Sequence, residues 1–427
     1  MLAAPPGRAG RHSRHAQPVP ATASASRLRS LDGLRGIAAV VVLVHHSFLT
    51  RPALAEPYRA PGSGAIGTAD WWLTFTPAHL IWAGTEAVFV FFVLSGLVLG
   101  LSAKPGWRPL WSYYPSRVLR LFLPVWAAVA FAVVLALAVP PVWGAADSWW
   151  MAANTQLPSV AGVLRDLGLL VAPGATNHVL WSLQWEMVFS LALPLFVLAA
   201  RLRWLSWAAK VALVVAAIAV ASEVGSIALS SLALFALGTL MATGRERLEG
   251  WAARIEAQPR SAALWAVVMA VAAVLITSYW LLYAPGLPVS AHAVAATRAL
   301  QAVGACLAVG VAWHCPGARR LLLTRPVQWL GVRSFSLYLL HLPVVTTVAL
   351  LLGGAPPLPV TLMIAVPVAL GLTVAFHRYV ERPSHRLARR IGAAAAALAP
   401  RLESAPATGV ALHRHRGQAM RSDFAAG

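Results

Sequence analysis

Acidic residues and cysteines are scarce in this chain. Its 427 residues hold 14 Asp and Glu against 34 Lys and Arg, and charged residues of either sign make up only 11%. A soluble domain carries about 25%, so a soluble globular fold is excluded. The two cysteines, Cys306 and Cys315, are too few for a disulfide framework, and both are expected to be free thiols. No metal-site spacing is present. The histidines at 12, 15, 413 and 415 sit in the tails and take no ligand role. Internal repeats and nucleotide-hydrolysis motifs are likewise missing.

What fills the chain is apolar sequence, 59% hydrophobic with a mean hydropathy of +0.69. The expected fold is all-α, a polytopic membrane protein of about ten transmembrane helices. The spans are placed at 32–50, 82–103, 121–141, 181–200, 205–221, 224–242, 261–283, 295–313, 327–352 and 358–377. The net charge of +20 does not point to nucleic acid, because Lys and Arg cluster between the apolar segments. Their alternation along the chain places both termini in the cytosol, with long outer stretches at 51–81 and 142–180. Those outer stretches are rich in Trp, Pro and Gly, which suits the membrane interface and also a sugar-binding rim. Three regions are expected: a disordered basic tail over 1–30, the membrane domain over 31–391, and a basic Ala/Arg/His-rich tail over 392–427. The basic N-terminus, first apolar run and Ala53-Leu54-Ala55 imitate a cleaved signal peptide, but Arg35, the His pair and the later spans oppose cleavage.

The first span, LDGLRGIAAVVVLVHHSFLT, carries Asp32, Arg35, His45 and His46. Ionisable groups at membrane depth are functional candidates by default. At about 100° per residue, Arg35 and His46 return to within roughly 20° of each other, about 16 Å apart along the axis, with Asp32 about 40° to the other side. His45 is about a quarter turn off that stripe. So Asp32, Arg35 and His46 can face one interior, and His45 cannot easily join them.

Further candidates follow in order. Ser95-Gly96 in the second span lets a neighbouring helix approach closely. Glu86, near the outer boundary, is either a site acid or an interfacial residue. Arg117 and Arg120, three apart just below the membrane, suit either lipid phosphates or the phosphates of a soluble cofactor. Glu186 lies about five residues into the fourth span, near the expected depth of His46, where a Glu-His pair would suit acid-base work. Ser334, Tyr338 and His341 share one face of the ninth span, where a packing hydrogen bond is the simplest role for His341. The terminal HRYVERPSHRLARR reads most simply as a helix stop with headgroup contacts.

Taken together, LDGLRGIAAVVVLVHHS, FFVLSG, RVLR, WSLQWE, SFSLYLLHLP and YVERP resemble, in order from 31 to 383, the acyltransferase 3 family of bacterial membrane proteins. The resemblance implies transfer of an acyl group, often acetyl, from cytosolic acyl-CoA to an acceptor hydroxyl at the outer face. The acceptor would be a glycan, a glycolipid or a secondary metabolite. It further implies that Arg35 and His46, with ten residues between them, form the family hallmark with His46 catalytic. Arg117 and Arg120 then serve the acyl-CoA side, and Glu186 is the family's Glu after W-S-L. Two departures stand out: Pro124 follows Arg120 by four residues rather than three, and Ala87 is the small residue before Val in the second-span motif. In that setting His46 is the expected general base, Glu186 its orienter, and Asp32 with Arg35 the lower end of the stripe. The rival reading is a proton-coupled secondary transporter or exporter with His and Glu as a proton relay, but its usual inverted repeats and broken helices are not found.

Overall fold

A computed structural model describes residues 21–103, 108–142, 147–284 and 286–404. Among these the fold is all-helical, with no strand. The long helices are α1 (Ala21–Leu49), α4 (Gly84–Ser102), α5 (Arg108–Ala138), α8 (Leu180–Arg201), α9 (Trp207–Glu223), α10 (Ile227–Thr243), α11 (Arg245–Glu256), α12 (Ser261–Tyr283), α13 (Ala291–His314), α15 (Arg325–Leu351), α16 (Leu358–Phe376) and α17 (Arg382–Ser404). Short helices α2 (Pro52–Arg59), α3 (Ala69–Phe75), α6 (Trp149–Asn154), α7 (Val160–Gly168) and α14 (Pro316–Leu322) fill the connections.

Eight described helices are long and apolar enough to cross a membrane, or nine if the α10–α11 pair, bent by 72°, is counted as one span. The expected spans at 205–221 and 224–242 form α9 and α10, 17 residues each. Helix α1 begins at Ala21, so the last ten residues of the expected 1–30 tail are helical. Ser30 is fully buried and donates to the Ala312 carbonyl at 2.7 Å. The expected tail beginning at 392 is also helical as far as Ser404. The HRYVERPSHR segment is no helix stop: a single π-turn, His377–Glu381, joins α16 to α17. Residues 405–427 lie outside the described residues.

Helix α15 is the axis of the bundle, with 72% of its span buried, against 17% for α12 at the rim. Apolar residues such as Met363, Leu195 and Val134 point outward, as a lipid surface requires. α1 lies along α15, and glycine sets their separation. A Cβ on Gly331 would collide with the Asp32 carbonyl, and one on Gly36 would meet the Gly331 nitrogen at 2.5 Å. The same device joins α4 to α10: a Cβ on Gly96 would strike the Phe235 carbonyl, and one on Gly238 the Val93 carbonyl. The close approach expected at Ser95-Gly96 is therefore present.

Proline docks two further elements. Pro194 has no N–H for the Ser190 carbonyl one turn earlier. Tyr113 of α5 donates to that carbonyl at 3.1 Å, and Tyr114 to Leu191 at 3.0 Å. Pro343 likewise leaves the Leu339 carbonyl of α15 without its helical donor, and Asn177 supplies one at 2.9 Å. The loop bearing Asn177 is shaped by buried Asp166, which accepts from the amides of Gly174, Ala175 and Thr176 at 2.6, 3.0 and 2.7 Å. The stretches 51–81 and 147–179 together cap the His46 end of α1, tied by Ser148 to the Leu49 carbonyl and Trp149 to the Ala55 carbonyl.

Candidate active site

A cavity of about 420 Å³ opens among α1, α4, α5, α8, α15 and the α16–α17 junction. Six of the sequence candidates line it from the first four helices: Asp32, Arg35, Ser95, Arg117, Arg120 and Glu186. Arg117 and Arg120 both line the cavity, Arg117 half-buried and Arg120 exposed.

The charges in this cavity are mostly paired. Arg35 donates to Asp32 at 2.8 Å, one turn apart on α1. Arg117 donates to Glu186 at 2.6 Å and to the Ser190 hydroxyl at 2.9 Å. The Tyr113 dock onto the Pro194-freed carbonyl thus sits one turn of α5 from this pair and holds it in register. Arg120 is different: among the described residues it has no carboxylate within ion-pair distance. It lies in the combined field of Arg117, Arg35, Glu186 and Glu381.

Glu186 is therefore not the partner of His46, as its depth had suggested. His46 Nδ1 instead stands 2.8 Å from His341 Nε2, with the two rings nearly parallel and 5.0 Å apart. Trp150 stacks on His46 at 5.5 Å. His341 Nδ1 meets the Leu337 carbonyl at 3.1 Å. Tyr338, one turn before His341, lines the cavity; its hydroxyl is 2.6 Å from that of Ser182 and its ring is 5.6 Å from that of His341. The cavity wall stops at Tyr338, one helical turn short of the histidine pair.

His45 is turned away, as the helix-face count requires. Its Nδ1 donates to the Trp82 carbonyl at 2.9 Å, and its ring fills a seat that any Cβ on Gly84 would occupy. Glu86 is not in the cavity. It accepts from Trp280 at 3.1 Å and Gln301 at 2.8 Å in a separate buried cluster with His79.

Sequence reading missed three cavity residues, His377, Glu381 and His385. Glu381 is buried, accepts from the Ser336 hydroxyl, and lies 3.0 Å from His377 Nδ1 and 4.0 Å from His385 Nε2. Their spacing of four residues is a signal that could have found them. The basic residues between them hid it.

The chain matches the family model described as an acyltransferase domain, Acyl_transf_3, across residues 28–378. It belongs to the acyltransferase 3 family. Among curated relatives it is similar to the acyltransferase MdmB of Streptomyces mycarofaciens, 28% identical over 412 residues, which span 89% of this chain and 97% of the relative. No solved structure matches it. As a member of the family the chain is a membrane acyltransferase. The matched region ends just after His377, so Glu381 and His385 are cavity residues beyond it.

Proposed function

We propose that this acyltransferase takes the acyl group of acyl-CoA, acetyl in the first instance, from the cytosol and transfers it to a hydroxyl on an acceptor at the outer face of the bacterial cytoplasmic membrane. A glycan, glycolipid or other sugar-bearing molecule is the acceptor class that the Trp-rich outer cap favours. The observation that carries the reading is the course of the cavity: it begins among arginines at the Asp32 end of α1 and stops at Tyr338, one turn from the His341–His46 pair.

In this reading the donor's phosphates bind Arg120, while Arg117, fixed to Glu186, forms a rigid cationic edge beside it. The thioester arm extends toward Tyr338. His46 takes the proton of the acceptor hydroxyl on Nε2 as the oxygen attacks the thioester carbonyl. The carbon–sulfur bond then breaks, and the departing sulfur takes that proton from His46. An ester and free CoA result, with no other reactant. The basic segments at the Asp32 end of α1 make that end cytosolic, with both termini inside.

Inverted membrane vesicles test the direction of transfer. Labelled acetyl-CoA supplied outside them should acylate acceptor in the lumen. Label appearing only when acetyl-CoA is trapped in the lumen would reverse the assignment of faces.

A further inference from the structure

We infer that His341 is a positioning residue that fixes which nitrogen of His46 is basic. The inference rests on the reading of His46 as general base. A backbone carbonyl can only accept a hydrogen bond. The Leu337 carbonyl lies 3.1 Å from His341 Nδ1, so that nitrogen carries the hydrogen. In a neutral imidazole the other nitrogen then has only its lone pair. His341 Nε2 is that nitrogen, and it faces His46 Nδ1 at 2.8 Å. His46 must therefore donate from Nδ1, and its own Nε2 is left bare. Each link forces the next: carbonyl, His341, His46, free lone pair.

Three contacts keep the chain from slipping. His341 is fully buried on the most buried helix of the bundle. The His46 ring stacks on Trp150 at 5.5 Å and meets His341 edge to edge through the 2.8 Å contact, which opposes a ring flip. Asn177 bonds to the Leu339 carbonyl two residues before His341, tying the outer loop to this turn of α15. An isolated neutral histidine prefers its proton on Nε2, which is the wrong form for a base acting through that atom. When His46 takes a proton on Nε2, its Nδ1–H still points at the His341 lone pair, so the imidazolium has an acceptor ready. The proton on Nδ1 never leaves the pair. The sequence face Ser334–Tyr338–His341 is thus a positioning device as well as a packing one.

The test is the protonation pattern of His46 in the full-length protein. Histidine-labelled ¹⁵N protein in bilayers is measured, and His46 signals are assigned by their loss in His46→Ala. Wild type should show His46 protonated at Nδ1 and bare at Nε2. His341→Leu should move the population toward Nε2–H, whereas His341→Gln, whose amide oxygen can accept from Nδ1, should hold it. Acetyl-CoA turnover in vesicles should follow, with kcat reduced about tenfold or more in His341→Leu, partly restored in His341→Gln, and KM for acetyl-CoA unchanged. Nε2–H in the wild type, or the same pattern in wild type and His341→Leu, would overturn the inference. If wild type leaves acetyl-CoA untouched, the acyl-CoA reading fails, while the ¹⁵N pattern still judges the role of His341.

Discussion

Arg117 Nη2 and Glu186 Oε1 lie 2.6 Å apart, in a bundle where both are less than a quarter exposed. They come from helices that run in from opposite ends, and Ser190 braces the arginine at 2.9 Å. Breaking such a pair leaves one uncompensated charge at membrane depth. A double-mutant cycle with Arg117→Met and Glu186→Gln should give a coupling of about 0.5–3 kcal/mol in thermal unfolding. Additive effects would show that the two residues act independently.

Arg120 is the cavity cation with no carboxylate partner among the described residues, so it should be the one that answers to donor phosphate. Arg120→Ala should raise KM for acetyl-CoA by roughly tenfold or more while leaving kcat nearly unchanged, as loss of uniform binding does. With acetyl-pantetheine, which has no phosphate, the same substitution should have little effect. Equal losses with both donors would place its role elsewhere.

The proline dock should be visible as stability. Tyr113→Phe strips the donor from the Ser190 carbonyl, and an unsatisfied buried acceptor costs about 1–3 kcal/mol. Pro194→Ala gives that carbonyl its helical donor back. Tyr113→Phe should then cost less in the Pro194→Ala background than in wild type, measured as the thermal midpoint in detergent.

His79 lies outside the membrane spans, fully buried between Trp82 and Trp280 at ring distances of 4.6 and 4.5 Å. Burial holds it well below 6.5, with His45 adding to the effect. The folded protein therefore refuses a proton that the unfolded chain accepts, and stability falls as pH drops below about 6.5. His79→Phe keeps the stacking and removes the titration. Its thermal midpoint should fall less than that of wild type between about pH 7 and 5; parallel curves would exonerate His79.

The α1 stripe was legible because one helix fixes its own azimuths. The sequence alone could turn Asp32 and Arg35 into the cavity and exclude His45, and Gly96 announced its own close contact. Partners across helices were not legible in the same way. Depth placed Glu186 level with His46, but depth says nothing of which neighbour a side chain faces, and α5 intervenes with Arg117. In sequence the basic residues of 377–390 look like a membrane-surface terminus, which masks the four-residue ladder of His377, Glu381 and His385. Helices α2, α3, α6 and α7 are too short to show a periodicity, and their caps over the His46 end emerge only in three dimensions.

Acyl release from CoA by vesicles holding wild type, His46→Ala or His45→Ala is the most direct test, with acetyl-CoA labelled in the acetyl group. His46 as base predicts that label leaves CoA with wild type and, at reduced protein yield, with His45→Ala, whose ring lies off the cavity, bonded to the Trp82 carbonyl and seated against Gly84. His46→Ala should be reduced by about a hundredfold or more. Turnover by folded His46→Ala at the wild-type rate would contradict the account.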